Sequence, residues 1–224
     1  MKKYAFLLVF ALLLIPILWI ALLKQGQIVS QQLPVYGERS YSSEIGDTVY
    51  HTISDFSFVN QDGLVINQDS LRGKIYVANF FFTTCPDICP SMMKNVQFVY
   101  NKYNEAPDIR FISHTVDPKQ DSVAALKKYA DNLGAQSNRW YLVTGSKAAL
   151  YFAAEHDYLL AAVETSLEDA FIHSEKLVLI DHKGHIRGFY NGLEFREMRK
   201  LVDDIKALVV ELQHDKASSG KQIQ

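Results

Sequence analysis

Both cysteines of this 224-residue chain fall in one short segment, Thr84-Cys85-Pro86-Asp87-Ile88-Cys89-Pro90, directly after the apolar run Ile75 to Phe82. Thiolates are the ligands that copper(I) and zinc prefer, and they are also the groups that exchange disulfides, so a thiol pair between prolines points to a soft-metal or redox site. Pro86 keeps Cys85 out of helical geometry and leaves it on a strand-to-helix loop. Cys89 falls at or near the start of the following helix, where unpaired N–H groups and the positive dipole end favour a thiolate. Three intervening residues set the sulfurs far enough apart to clamp a metal, while a modest backbone shift would still join them. Two thiolates do not complete a copper(I) or zinc site, so a third donor has to come from elsewhere.

Seven histidines compete for that place. His182 and His185 fall in a turn, His214 near the C-terminus and His51 at the edge of the first strand region, all expected at solvated surface positions. His114 lies inside a strand, and His156 ends a helix, where a cation suits the dipole. His173 remains. It follows the irregular stretch Asp157 to Phe171 and precedes the strand Lys176 to Ile180, where a loop can return over the strand-to-helix junction. Met92 and Met93 could offer thioether sulfur, but two methionines on a core-facing helix read as packing. Asp87 and Asp117-Pro118 read as turn residues, and Phe80-Phe81-Phe82 as core.

The elements that must position these groups alternate strand and helix. Asp55 to Val59 and Leu64 to Asn67 predict a hairpin around Asn60-Gln61-Asp62-Gly63. Lys74 to Phe82 has the continuous apolar character of a strand buried on both faces. After Cys89 a helix carries Met93, Val96, Val99, Tyr100 and Tyr103 at helical spacing. A strand at Ile109 to Val116, a helix at Asp121 to Leu133, a strand at Trp140 to Val143 and a helix at Ser146 to Glu155 follow. Leu177 to Ile180 and Ile186 to Tyr190 form a second hairpin, and Glu194 to Leu212 a long amphipathic helix. This order resembles an α/β thioredoxin-like fold with an N-terminal β-hairpin and an inserted helix.

Residues 5 to 23 carry no charge, follow Lys2 and Lys3, and as a helix would span roughly 28 Å, about a bilayer core. They predict an N-terminal transmembrane helix rather than a cleaved signal, since the run ends at Leu22-Leu23-Lys24 without a small-x-small site. The positive-inside tendency places the rest outside the cytoplasm, facing the periplasm of a bacterial membrane. The expected organisation is therefore an anchor over residues 1–24, a Gln-, Ser- and Gly-rich tether over 25–49, a folded domain over 50–213 and a disordered polar tail over 214–224. Setting Lys2, Lys3 and Lys24 aside leaves 20 basic against 25 acidic residues, a net of −5, with no basic footprint for nucleic acid.

Taken together, Cys85-Pro-Asp-Ile-Cys89-Pro after an aromatic-rich strand, Val116-Asp117-Pro118 after the next, and His173-Ser174 before Leu177 to Asp181 and Gly184 resemble the Sco/SenC family of membrane-anchored copper proteins that help assemble cytochrome c oxidase. The resemblance covers nearly the whole domain. It implies that Cys85, Cys89 and His173 bind one copper per chain, as copper(I) or copper(II), for delivery to the copper-accepting CuA subunit of a haem-copper oxidase. Family members often place aspartate directly before the histidine. Here Ile172 occupies that position, which bears on copper(II) affinity and redox tuning more than on copper(I). The alternative is a thiol-disulfide oxidoreductase using Cys85 and Cys89 to reduce the cysteines of that same subunit. A thiol peroxidase would need a Thr-x-x-Cys setting with a nearby arginine.

Overall fold

A computed structural model describes residues 12–16, 19, 32–44, 46–160 and 174–220. A small hairpin, β1 (Arg39–Ser42) with β2 (Asp47–Tyr50), precedes the main sheet. The rest of the chain runs β3 (Ser57–Asn60), β4 (Val65–Asn67), α1 (Gln68–Leu71), β5 (Ile75–Phe81), α2 (Ile88–Tyr103), β6 (Ile109–Thr115), α3 (Val123–Leu133), β7 (Trp140–Thr144), α4 (Lys147–Phe152), β8 (Lys176–Ile180), β9 (Ile186–Asn191) and α5 (Phe195–Gly220). Seven strands form one mixed sheet in the order β4-β3-β7-β6-β5-β8-β9. β5 pairs in parallel with β6 and antiparallel with β8.

The period of two along each strand divides the core between the two faces of the sheet. Ile75, Val77 and Phe81 of β5, with Phe111, Trp140, Leu142, Leu177 and Leu179, pack beneath α2, α3 and α5. Tyr76, Ala78 and Phe80, with Ile112, Val143, Val178 and Ile180, pack beneath α4. All seven residues of β5 are buried, as its unbroken apolar run predicts. The hairpin β3–β4 turns at Gly63, whose φ of +76° supplies the left-handed conformation expected there.

The chain boundaries differ from the sequence expectation at both ends. The described part of the expected tether is not free. Tyr36 bridges to Ile186 on β9, and the carbonyls of Leu33 and Pro34 accept from Arg187 at 2.8 and 3.1 Å. Arg187 in turn pairs with Asp181 and Glu211, each at 2.8 Å, so a buried cation on β9 captures a segment with no apolar periodicity of its own. At the other end α5 continues past Leu212 through the expected tail to Gly220. Met198, Leu201, Ile205, Leu208 and Leu212 hold the helix to the sheet, each worth about 1.5–3 kcal/mol of burial. Beyond them the described residues make polar contacts: Asp215 with Lys183 at 2.6 Å and His182 at 3.1 Å, and Lys216 with Asp108 at 2.8 Å. These are partly exposed pairs worth about 0–1 kcal/mol each. Of the expected anchor, residues 12–16 and 19 are helical and exposed, and the others lie outside the described residues. Among the described residues no helix is long and apolar enough to cross a membrane.

Replacing Arg187 with Ala strands the buried Asp181 and releases the Leu33 and Pro34 carbonyls. The unfolding free energy should drop by about 3–5 kcal/mol in urea titrations. A loss below about 1 kcal/mol would show that the N-terminal segment is held by something else.

Candidate metal and thiol site

β5 leaves the sheet at Phe82, and the chain turns at once, with the Cys85 N–H bonded to the Phe82 carbonyl at 3.3 Å. Pro86 and Asp87 face solvent in this loop, while Cys85 is 9% and Cys89 4% exposed, both reduced. α2 begins at Ile88, and its N-cap residue, Asp87, makes no side-chain cap bond. The orphan N–H groups of this helix start turn instead to the Cys85 sulfur.

That arrangement makes the two thiols unequal. Burial works against the Cys85 thiolate, but hydrogen bonds from the Cys89 thiol and from the backbone N–H groups of Asp87, Cys89 and Ile88 outweigh it and hold the Cys85 pKa below its usual value. Cys89 is pushed up to about 12, first by burial and then by donating its proton to Cys85. The sequence expectation that the helix dipole favours a thiolate at Cys89 is therefore corrected. Cys89 is the first member of the inward stripe Cys89, Met92, Met93, Val96, Val99 and Tyr100, so its side chain points into the core while the helix N–H groups point back at Cys85.

Two neighbours of the pair were not singled out from the sequence. Asp121, fully buried, accepts from the Thr83 N–H at 3.1 Å and from the hydroxyls of Thr83 and Thr115. Tyr129 of α3 packs on Phe81 with ring centroids 5.3 Å apart. Its phenol is pushed up to about 12 by burial and then by the charges of Cys89, Cys85 and Asp121. Met92 and Met93 are fully buried, and Met93 Sδ accepts from Asn79 Nδ2 at 3.3 Å, in keeping with packing.

His173, the expected third donor, and Ile172 lie outside the described residues. Among the described residues no group of three His, Cys, Asp or Glu side chains could hold a metal ion. The other histidines have partners or packing of their own. His114 is fully buried on the opposite face of the sheet, stacked on Phe80 at 4.7 Å, and burial pushes its pKa down to about 3. His51 bonds the Asp157 carbonyl at 2.8 Å, and His185 approaches Asp181 at 3.4 Å. With His182 on Asp215, these three are half-buried and partnered rather than solvated as expected.

The segment entering β8 is pinned beside α2. Gly192 N–H donates to the Glu175 carbonyl at 2.7 Å, and Asn95 of α2 donates to the Gly192 carbonyl at 2.7 Å. A Cβ at Gly192 would lie 2.7 Å from Met92 Cγ and 2.9 Å from the Glu175 oxygen, so this close approach requires glycine.

A sequence model of the SCO1/SenC family matches residues 46–210. The chain belongs to the SCO1/SenC family. It is 31% identical over 166 residues to the SCO1 protein homolog of Bacillus subtilis (strain 168), spanning 73% of this chain and 86% of that protein. Its fold superposes with a TM-score of 0.59 on BsSco, a member of the Sco family of cytochrome c oxidase assembly proteins in which a disulfide switch was identified. That match is 31% identical and covers 70% of this chain and 93% of the other. The fold is shared also with Bradyrhizobium japonicum ScoI, solved with copper bound, at 24% identity and a TM-score of 0.56, over 70% of this chain and 99% of that one.

The thiol inequality predicts an ordered reaction with iodoacetamide. The thiolate is the nucleophile. In the reduced, metal-free protein Cys85 should therefore alkylate first, with a pH midpoint below the ordinary thiol value of about 8.5, while Cys89 stays protected at neutral pH. Cys89→Ala removes a donor to the thiolate and should move the Cys85 midpoint upward. Equal labelling of both cysteines at neutral pH would refute the assignment.

Proposed function

We propose that this Sco-family chain is a membrane-anchored copper metallochaperone. One copper ion is its cargo, held by Cys85 and Cys89 with His173 as third donor, and passed by ligand exchange to the CuA centre of a haem-copper oxidase. The observation that carries this reading is the pair of reduced, buried thiols at the end of β5, one of them acidified by the start of α2. Soft sulfur donors select copper(I) over hard cations, and an acidified thiol gives up its proton to a metal at little cost. Topology supports the third donor. β8 runs antiparallel to β5, with Ala78 opposite Val178, so the chain that follows His173 enters the sheet at the end from which β5 delivers Cys85. Copper bound to the related ScoI fold is in keeping with this cargo. Residues 5 to 23 serve in this reading as the anchor, with the domain on the non-cytoplasmic side. Full-length protein should then stay in membranes through a carbonate wash, and a mature N-terminus between residues 20 and 35 would overturn it.

A second reading has its own observation. A low-pKa thiol paired with a buried, protonated one suits thiol-disulfide exchange, in which the Cys85 thiolate attacks a partner disulfide and Cys89 resolves the mixed disulfide, releasing two partner thiols. The partner here would be the oxidised CuA cysteines. A disulfide switch in BsSco fits the same pair.

His173→Ala separates the two. A carrier should lose copper retention sharply, copper(II) above all because it prefers nitrogen donors, while disulfide exchange changes little. Parent protein should bind one copper(I) per chain, and the Cys85→Ser, Cys89→Ser double variant none. Unchanged copper retention with impaired exchange in His173→Ala would give the function to the oxidoreductase.

A further inference from the structure

The turn from β9 into α5 lies at the cysteine end of the sheet. β5 is antiparallel to β8, and β8 to β9, so β9 runs in the direction of β5 and releases the chain at the end where Cys85 stands. Two apolar side chains there face water: Leu193 is 38% and Phe195 53% exposed. Phe195 packs on the half-buried Phe98 of α2 with ring centroids 4.9 Å apart, so the two helices share one aromatic ridge.

Cations surround the ridge. Lys102 lies over Phe98, 5.6 Å from the ring centroid, and Lys94 is exposed one helical turn before Phe98. Arg196 and Arg199 are exposed on the first two turns of α5. Among the described residues none of these four forms an ion pair, whereas elsewhere Arg72, Lys74, Lys127, Lys183, Lys206 and Lys216 each meet a carboxylate. Of the nearby carboxylates, Asp203 is taken by Lys206 at 2.8 Å, Glu197 is half-buried and Glu194 is exposed. The face is therefore positive on a chain of net charge −2. Helix stability does not explain it, because a cation in the first turn, such as Arg196, opposes the dipole.

We infer that this ridge and its cations are the docking surface for a protein partner of opposite character, an acidic surface with an apolar centre. The proposed function enters only through the partner's identity, the copper-accepting subunit. Aromatic and arginine side chains are the groups that anchor interfaces, and unpaired rim cations steer an acidic partner to this face in preference to the rest of a negative chain. A lipid surface fits less well. The N-terminal segment is fastened at Arg187, toward the other end of β9 and about 17 Å of strand away from Gly192, so the strap leaves the domain away from this face.

The test measures binding of metal-free full-length protein, in detergent, to the immobilised soluble CuA domain of the haem-copper oxidase from the same organism, across a range of salt. The triple variant Lys94→Glu, Arg196→Glu, Arg199→Glu should associate at least about tenfold more slowly at low salt, with the difference shrinking as salt rises. Phe195→Ala should dissociate about tenfold faster with little change in association. Arg72→Glu, at the opposite end of β5, should match the parent. A parent that does not bind the domain, or variants that bind it as the parent does, overturn the inference, and copper(I) transfer between the same two proteins then reports on the chaperone reading separately. If the triple variant loses only binding to vesicles of phosphatidylglycerol and phosphatidylcholine, the face belongs to lipid and the inference falls. Docking lost in both variants beside a parent that transfers no copper keeps the docking face and removes the chaperone reading.

Discussion

The burial of β5 on both faces and along both edges is the constraint from which the site follows. Its side chains alternate between two cores, and its backbone is shared between β6 and β8, so a slip of one residue would exchange Tyr76, Ala78 and Phe80 with Ile75, Val77 and Phe81. That exchange would place Tyr76 beneath α2 and Ile75 beneath α4 and break the packing of both faces. A strand so fixed in register delivers Phe82 and Cys85 to one place at the end of the sheet. The pairing extends past the strand itself, with the Val116 N–H on the Phe81 carbonyl at 2.9 Å, so Thr115 comes beside the start of the cysteine loop. The hydrogen bonds from Thr83 and Thr115 to Asp121 can form because both strand ends are held in this way.

Most of this frame is legible in the sequence because it is written in periodicity. The apolar run of β5, the Asp-Gly turn of the β3–β4 hairpin, the Asp181 to His185 turn and the stripe of α5 are local patterns with local physical causes. The N-terminal segment was not legible. Leu33 and Pro34 are held through their carbonyl oxygens, which carry no side-chain signature, by an arginine about 150 residues away. The extension of α5 escaped for a similar reason, since Asp215 and Lys216 look like tail residues until Lys183, His182 and Asp108 are brought to them.

Within the site, residue types were legible and their division of labour was not. Cys89 has two attributes in the sequence, a position at a helix start and a place at the head of an apolar stripe, and these argue in opposite directions for its proton. The stripe wins, because burial raises the thiol pKa while the N–H groups of the same turn are aimed at Cys85. Asp121 was hidden by its neighbour. A polar pair before a helix reads as a cap, and Ser122 does cap α3, accepting from the Ala125 N–H at 3.3 Å. Nothing local shows that the aspartate beside it points inward to Thr115 at the end of β6 and to Thr83 in the cysteine loop.

The unequal thiols also explain why the cysteine pair by itself does not select between the two proposed chemistries. A carrier must release its cargo, and a ligand that prefers a proton up to a pKa of about 12 is the one most readily surrendered when a partner's thiolate competes for the metal. A disulfide reductant needs an attacking thiolate and a second thiol that waits, and the same buried Cys89 is the one that waits. Both proposed reactions rely on Cys85 as the standing thiolate and on Cys89 as the protonated partner. The choice between them therefore falls to what meets the pair from outside the β5–α2 unit. An imidazole fixed over the sulfurs makes a three-donor metal site, whereas without it the pair remains a dithiol open to disulfide exchange.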